Sequence, residues 1–191
     1  MDIREPKAHL RVAIKERLSH LSNKDRHAES RSLCRRVLEA LPEGPLTIAA
    51  YFPLKDEADV RMLLQEFLAR GDKVFLPRIE NQKIVFRQML SLTGLTDGMF
   101  GIPEPAEDDP PLDSATLDIA LIPGRAFDAR GNRLGRGNGG YDIWMRKQRA
   151  MNPKTQFWGL ALECQLVPEM PMEEHDERVD AVITARGMTN S

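Results

Sequence analysis

The chain has little with which to staple or anchor itself. Its two cysteines, Cys34 and Cys164, stand far apart and outside any Cys-x-x-Cys or Cys/His cluster. That excludes a disulfide framework and a zinc site, and reads as two reduced thiols in a cytoplasmic protein. No apolar run approaches the ~20 residues of a membrane helix. The opening MDIREPKAHLRVAIKERL is charged throughout and lacks an apolar signal core. No membrane role is expected. Positive charge is not in excess either: a formal net charge of −2 argues against nucleic acid as a partner. Internal repeats and low-complexity segments are absent. What remains is ordinary globular composition, 41% hydrophobic and 29% charged over 191 residues. A chain of that size can bury roughly 70% of its unfolded surface, so a single domain over 1–191 is expected without metal or disulfide support.

Periodicity divides the chain into alternating elements. Residues 6–41 read as two helices, with Pro6 at a helix start, a break at SHLSNKDRHAES and Ser22 as N-cap of the second. Short apolar runs at 46–52, 73–77, 83–89, 117–124, 157–163 and 179–185 read as strands. Helices are expected at 59–71, stopping at Gly71, and at 139–150. Residues 91–117, rich in Pro, Gly and Asp, read as a long connection, and DARGN (128–132) as a tight turn between two extended pieces. The alternation predicts an α/β fold of three layers, α/β/α. A mostly parallel sheet carries helices on both faces and an N-terminal helical pair leads into it. Ligands of such sheets bind beyond the carboxyl ends of the strands.

The densest signal is Arg133–Asp142, RLGRGNGGYD. The chain has 13 glycines, and four of them, Gly135, Gly137, Gly139 and Gly140, fall within six positions. A structural turn explains part of this. A dinucleotide loop is a second reading, since Gly135, Gly137 and Gly140 match G-x-G-x-x-G and Glu163 follows about 20 residues later. Its position late in the chain, away from a first strand-to-helix turn, argues against it. A third reading is a phosphate cradle. Glycines turn backbone N–H groups toward an anion, a helix N-terminus adds partial positive charge, and Arg133 and Arg136 add full charges. Asp142, just inside the helix, either caps it or helps hold Mg²⁺ beside phosphate.

LIPGRAFDARGNRLGRGNGGYD resembles the P-G-x-x-F-D-x-x-G-x-R-L-G-x-G-x-G-Y-Y-D block of the 5-formyltetrahydrofolate cyclo-ligase (methenyltetrahydrofolate synthetase) family. Other blocks follow in the family's order. KAHLR resembles its K-x-x-x-R helix, AAYFPLKDEADV its strand followed by a Glu-initiated helix, and KVFLPRI and FGIPEP come next. ECQLVPEMPMEEHDERVDAVIT resembles its closing block. The resemblance covers nearly the whole chain. It implies an ATP- and Mg²⁺-dependent enzyme acting on a reduced formylfolate, with ATP and that folate as its small-molecule partners and a monomer as its working form. The formyl oxygen of 5-formyltetrahydrofolate would be phosphorylated and N10 would attack the activated carbon. Loss of phosphate would leave 5,10-methenyltetrahydrofolate.

The resemblance also implies roles. Lys7 and Arg11, four apart and so on one helix face, would reach the nucleotide phosphates. Arg133, Leu134, Gly135, Arg136, Gly137, Asn138, Gly139, Gly140, Tyr141 and Asp142 would form the triphosphate loop, with Arg136 and Asp142 closest to the chemistry. Asp142 and Asp176 would hold Mg²⁺. Glu57 would accept hydrogen bonds from the pterin edge, with Phe52 and Tyr141 as aromatic walls. Two positions depart from the block: Gly140 stands where many members carry a second Tyr, and Asn138 where some carry Lys. The same residues would serve a nonenzymatic nucleotide- or folate-binding relative, which would not consume ATP when formylfolate is added.

Overall fold

A computed structural model describes residues 4–98 and 101–191. Phe100, in the FGIPEP block, lies outside them. In chain order the elements are α1 (Arg4–His20), α2 (Asn23–Ala40), β1 (Thr47–Ala49), α3 (Arg61–Arg70), β2 (Lys73–Glu80) and β3 (Lys83–Gln88). There follow β4 (Thr96–Asp97), β5 (Pro103–Glu104), β6 (Ile119–Ile122), β7 (Ala126–Phe127) and β8 (Arg133–Leu134). The chain closes with α4 (Gly140–Met151), β9 (Gln156–Leu160), β10 (Ala181–Ile183) and β11 (Met188–Asn190).

All six expected strands are present, in one seven-stranded sheet of order β11-β10-β9-β6-β1-β2-β3. The inner pairs are parallel, and β3 and β11 are antiparallel edges. The strand pattern explains the layers. Successive side chains alternate faces, and the core splits accordingly. Ile48, Ile119, Leu121 and Ile183 pack with α1–α3, whereas Ala49, Ala120, Ile122 and Val182 pack with Met145 of α4 and Phe127. Strands covered on both faces have no polar side to show, which is why they read as continuous apolar runs.

Three expectations change. The break between the first two helices is only Leu21–Ser22; Ser22 caps α2 as expected, its hydroxyl accepting from Asp25 N at 3.1 Å. The segment after β1 is not a Glu-initiated helix. Residues 51–60 stay irregular and α3 begins at Arg61, so Glu57 lies in a bend ahead of the helix. The long connection contains the β4–β5 hairpin. The DARGN turn closes the β7–β8 hairpin as read, with Asp128 N bonded to Asn132 O and Gly131 N to Asp128 O.

β1 is the pivot of the sheet. The chain leaves it toward β2 on one side and later returns to place β6 on the other, both parallel to β1. Such a switch point splays the following loops apart and opens a crevice beyond the strand ends. Tyr51–Glu57 leaves β1 there, and Pro123–Arg125 leaves β6 there.

Candidate active site

The crevice holds a cavity of about 420 Å³, within the usual range for small-molecule sites. Tyr51, Phe52, Leu54 and Glu57 line it from the β1 side. Pro123 and Gly124 come from β6, Ile84 from β3, and Arg133, Gly135, Arg136, Asn138, Gly139, Tyr141 and Asp142 from the glycine loop and α4. The glycines earn their place through the backbone: Gly137 has φ 109° and Gly139, the N-cap of α4, has φ 65°, conformations that L side chains resist. No side chain caps α4 from Gly139. The start of α4, where Gly140 N donates a long 3.4 Å bond to Asn138 Oδ1, opens at the cavity edge.

Arg11 crosses from α1 to this loop. Its Nε donates to Gly135 O at 3.0 Å, and its guanidinium lies beside Gly137. Lys7, one turn earlier, turns elsewhere: its ammonium pairs with Glu173 (2.7 Å) and Asp176 (2.5 Å), and is almost fully buried. The two cations share a face, but in this state they do not converge on one point. Asp176 also accepts from Glu173 N at 2.6 Å through the same Oδ2. Glu173, His175 and Asp176 bring ligand atoms within 4.8 Å of one another, a grouping the expected pair Asp142 and Asp176 did not include.

Arg133 is not a freely exposed phosphate ligand. It is buried, Nη1 donating to Pro123 O (3.2 Å) and Nη2 paired with Asp142 Oδ2 (2.9 Å), with its Cζ 5.7 Å from the Tyr141 ring centroid. Among the described residues, Asp142 Oδ1 accepts only a long bond, 3.3 Å, from Glu177 N. Leu134 is core. Its side chain is buried and its carbonyl accepts from Arg125 N, so it offers a nucleotide no side-chain contact. Arg136 bridges to the opposite wall, Nη2 reaching Asp56 Oδ1 (2.6 Å) and Glu57 Oε1 (2.9 Å). Glu57 Oε2 accepts from Leu54 N at 2.9 Å. Asp56 also pairs with Arg125. Burial disfavours the Asp56 charge, but Arg136 and Arg125 outweigh it and hold the carboxyl below its ordinary range.

Sequence reasoning missed Tyr51, Asp56, Arg125 and Glu173. Tyr51 lies two residues past β1 and Arg125 three past β6, in the loops the switch-point rule would have flagged. Among the described residues, the Tyr51 hydroxyl and Arg133 Nε are buried polar atoms without a partner, both on residues that line the cavity. Such orphans are costly unless a ligand or water meets them.

Gly140 does not open extra space. A Cβ there would lie 2.9 Å from Ile84 Cδ1, so Ile84 fills the room an aromatic side chain would need. Gly140→Tyr is expected to push aside the terminal methyl of the half-buried Ile84 and to destabilise the fold by no more than about 1 kcal/mol. Gly140→Tyr combined with Ile84→Ala should recover most of that loss in urea unfolding; equal losses in both variants would remove Ile84 from the account.

The sequence model of the 5-formyltetrahydrofolate cyclo-ligase family matches residues 3–185. A mouse protein named 5-formyltetrahydrofolate cyclo-ligase is 30% identical, over 95% of this chain and 94% of its own. A Haemophilus influenzae protein of the same name is 30% identical over 87% of this chain and 91% of its own. The solution structure of Aquifex aeolicus 5,10-methenyltetrahydrofolate synthetase superposes with a TM-score of 0.81 at 30% identity, covering 96% of this chain and 92% of that one. With a match across nearly its whole length, the chain belongs to the 5-formyltetrahydrofolate cyclo-ligase family.

Proposed function

We propose that this chain, acting as one domain over 1–191, cyclises 5-formyltetrahydrofolate to 5,10-methenyltetrahydrofolate with conversion of ATP to ADP and phosphate. The observation that carries the reading is the shared cavity. The glycine loop and helix start suited to phosphate, and the buried carboxylate of Glu57 suited to pterin N–H groups, line one space. Phe52 and Tyr141 supply apolar walls for a bicyclic ring. The free thiols and the lack, among the described residues, of any helix long and apolar enough to cross a membrane agree with a cytoplasmic enzyme.

Little protein acid–base chemistry is needed. The formyl oxygen takes the γ-phosphoryl group and ADP leaves. N10 then bonds to the formyl carbon and loses its proton, and phosphate departs with the oxygen. The residues position the reactants and stabilise charge. Arg11, Arg136 and the N–H groups at the start of α4 would face the phosphates. Glu57 would orient the pterin. Mg²⁺ fits the donor set: among the described residues Asp142 Oδ1 is held only by a long amide bond, and the bonds to Asp176 fall on Oδ2. One or two carboxylates with phosphate oxygens is its usual company, and there it would neutralise phosphate charge.

The test is to mix protein, Mg-ATP and 5-formyltetrahydrofolate and follow the near-ultraviolet absorbance of the methenyl product. An ATP-dependent rise is expected. Its absence, with Mg-ATP still bound, would sink the reading. Glu57→Gln keeps an oxygen for Arg136 but loses the charge that a pterin edge would meet. It is expected to raise the KM for the folate about tenfold or more while the KM for ATP moves far less. Equal shifts in both would count against the pterin role.

A further inference from the structure

Four charged side chains form an unbroken line, two of which, Arg136 and Glu57, line the cavity. Arg125 pairs with Asp56, Asp56 with Arg136, and Arg136 with Glu57. Two leave the end of β1, one the end of β6, and one the glycine loop, so the line joins all three walls of the switch point. Two acids face two arginines, and the line is neutral as a unit. The pairs span long sequence separations, so they exist only in the assembled fold.

Arg136 is the member with work left to do. Among the described residues, both carboxylates engage Nη2 alone, and a guanidinium carries five N–H donors. Glu57 likewise keeps lone pairs, because each carboxylate oxygen accepts twice. An arginine on a glycine loop has many rotamers. Two carboxylates on one nitrogen, one of them braced from behind by Arg125, reduce that choice before any ligand arrives. Preorganisation of this kind matters most where charge moves in the transition state, since donors already in place need not reorganise.

We propose that Asp56, braced by Arg125, is a positioning residue that seats Arg136 with its free N–H groups set for the transferring phosphoryl group. This rests on the proposed cyclo-ligase reaction. Arg11 and the loop N–H groups remain to bind ground-state ATP, and Glu57 remains for the folate. Loss of Asp56 therefore touches the chemical step more than binding.

The expected result for Asp56→Asn is a fall in kcat of about tenfold to a hundredfold, the scale of misplacing a catalytic group by about 1 Å. Both KM values should stay within about threefold. Asp56→Glu, which keeps the charge, should restore part of kcat. In an Arg136→Lys background, Asp56→Asn should cost little further, because the residue it positions is already gone; a double-mutant cycle reads this directly. A merely structural role would give the same loss in both backgrounds. Unchanged kcat, a rise in KM alone, or additive losses would each overturn the proposal. Thermal unfolding monitors the fold, and if Asp56→Asn is too unstable, Arg125→Gln tests the same brace from its other end. Absence of product with the unmodified protein would instead refute the cyclo-ligase reading itself.

Discussion

Asp142→Asn is expected to lower ATP-dependent formation of the methenyl product by about a hundredfold while leaving the fold intact. Asp142→Ala should lose both. The difference lies in Arg133. Among the described residues, Asp142 supplies the only carboxylate paired with that guanidinium, whose side chain is 3% exposed. Nη1 leans on a carbonyl and Nε has no partner. Asparagine still offers an oxygen to Nη2. Alanine strands a buried cation, which typically costs about 3–5 kcal/mol. Urea midpoints of the two variants separate the structural from the chemical share. Raising Mg²⁺ should restore part of the activity of Asp142→Asn, as weakened metal affinity is offset by mass action. An Asn variant with full activity would move Asp142 out of the reaction and leave it as Arg133's anchor.

Asp142 illustrates how far the sequence was legible. The glycine loop announced itself because glycine density is a local property, and backbone conformation is decided locally. Buried strands such as Ile119–Ile122 were readable for the same reason: every position is covered, so every position is apolar. β11 was not, because its residues are exposed and it pairs only with β10. Glu57 was set at a helix start by the family resemblance, which follows this strand with a Glu-initiated helix. Residues 51–60 instead spend their length wrapping the crevice, and the helix waits until Arg61. The ion pairs were out of reach. Lys7 with Asp176, and Arg136 with Asp56 and Glu57, join residues far apart in sequence. No periodicity says which distant acid meets which base; only the sheet order does. A basic pair on one helix face therefore read as a single anion site, whereas one member serves the glycine loop and the other the closing block.

The Pro-Gly-x-x-Phe-Asp half of the long motif looks like part of the site but acts as its foundation. The Phe127 ring is fully buried between two glycines: a Cβ at Gly124 would stand 2.6 Å from it, and one at Gly159 2.5 Å. Asp128 then ties the hairpin. Oδ1 accepts from Arg130 N (2.9 Å) and Asn132 N (3.1 Å), and Oδ2 from Asn132 Nδ2 (2.8 Å) and Met170 N (3.0 Å). Phe127→Ala should cost about 3–5 kcal/mol, toward the upper end, because neighbouring glycines have no side chains with which to fill the hole. The denaturant midpoint should fall with an unchanged m value. Gly159→Ala should be destabilising in the unmodified protein, by about 1–3 kcal/mol, and less so beside Phe127→Ala, because its methyl then enters the vacated space. Turnover measured where the variant is still folded decides the functional point. A lowered kcat in Phe127→Ala places control of the loop in the β7–β8 hairpin from which it springs. An unchanged kcat places that control in α4 and the Arg136 ion pairs, which hold the loop from its other side.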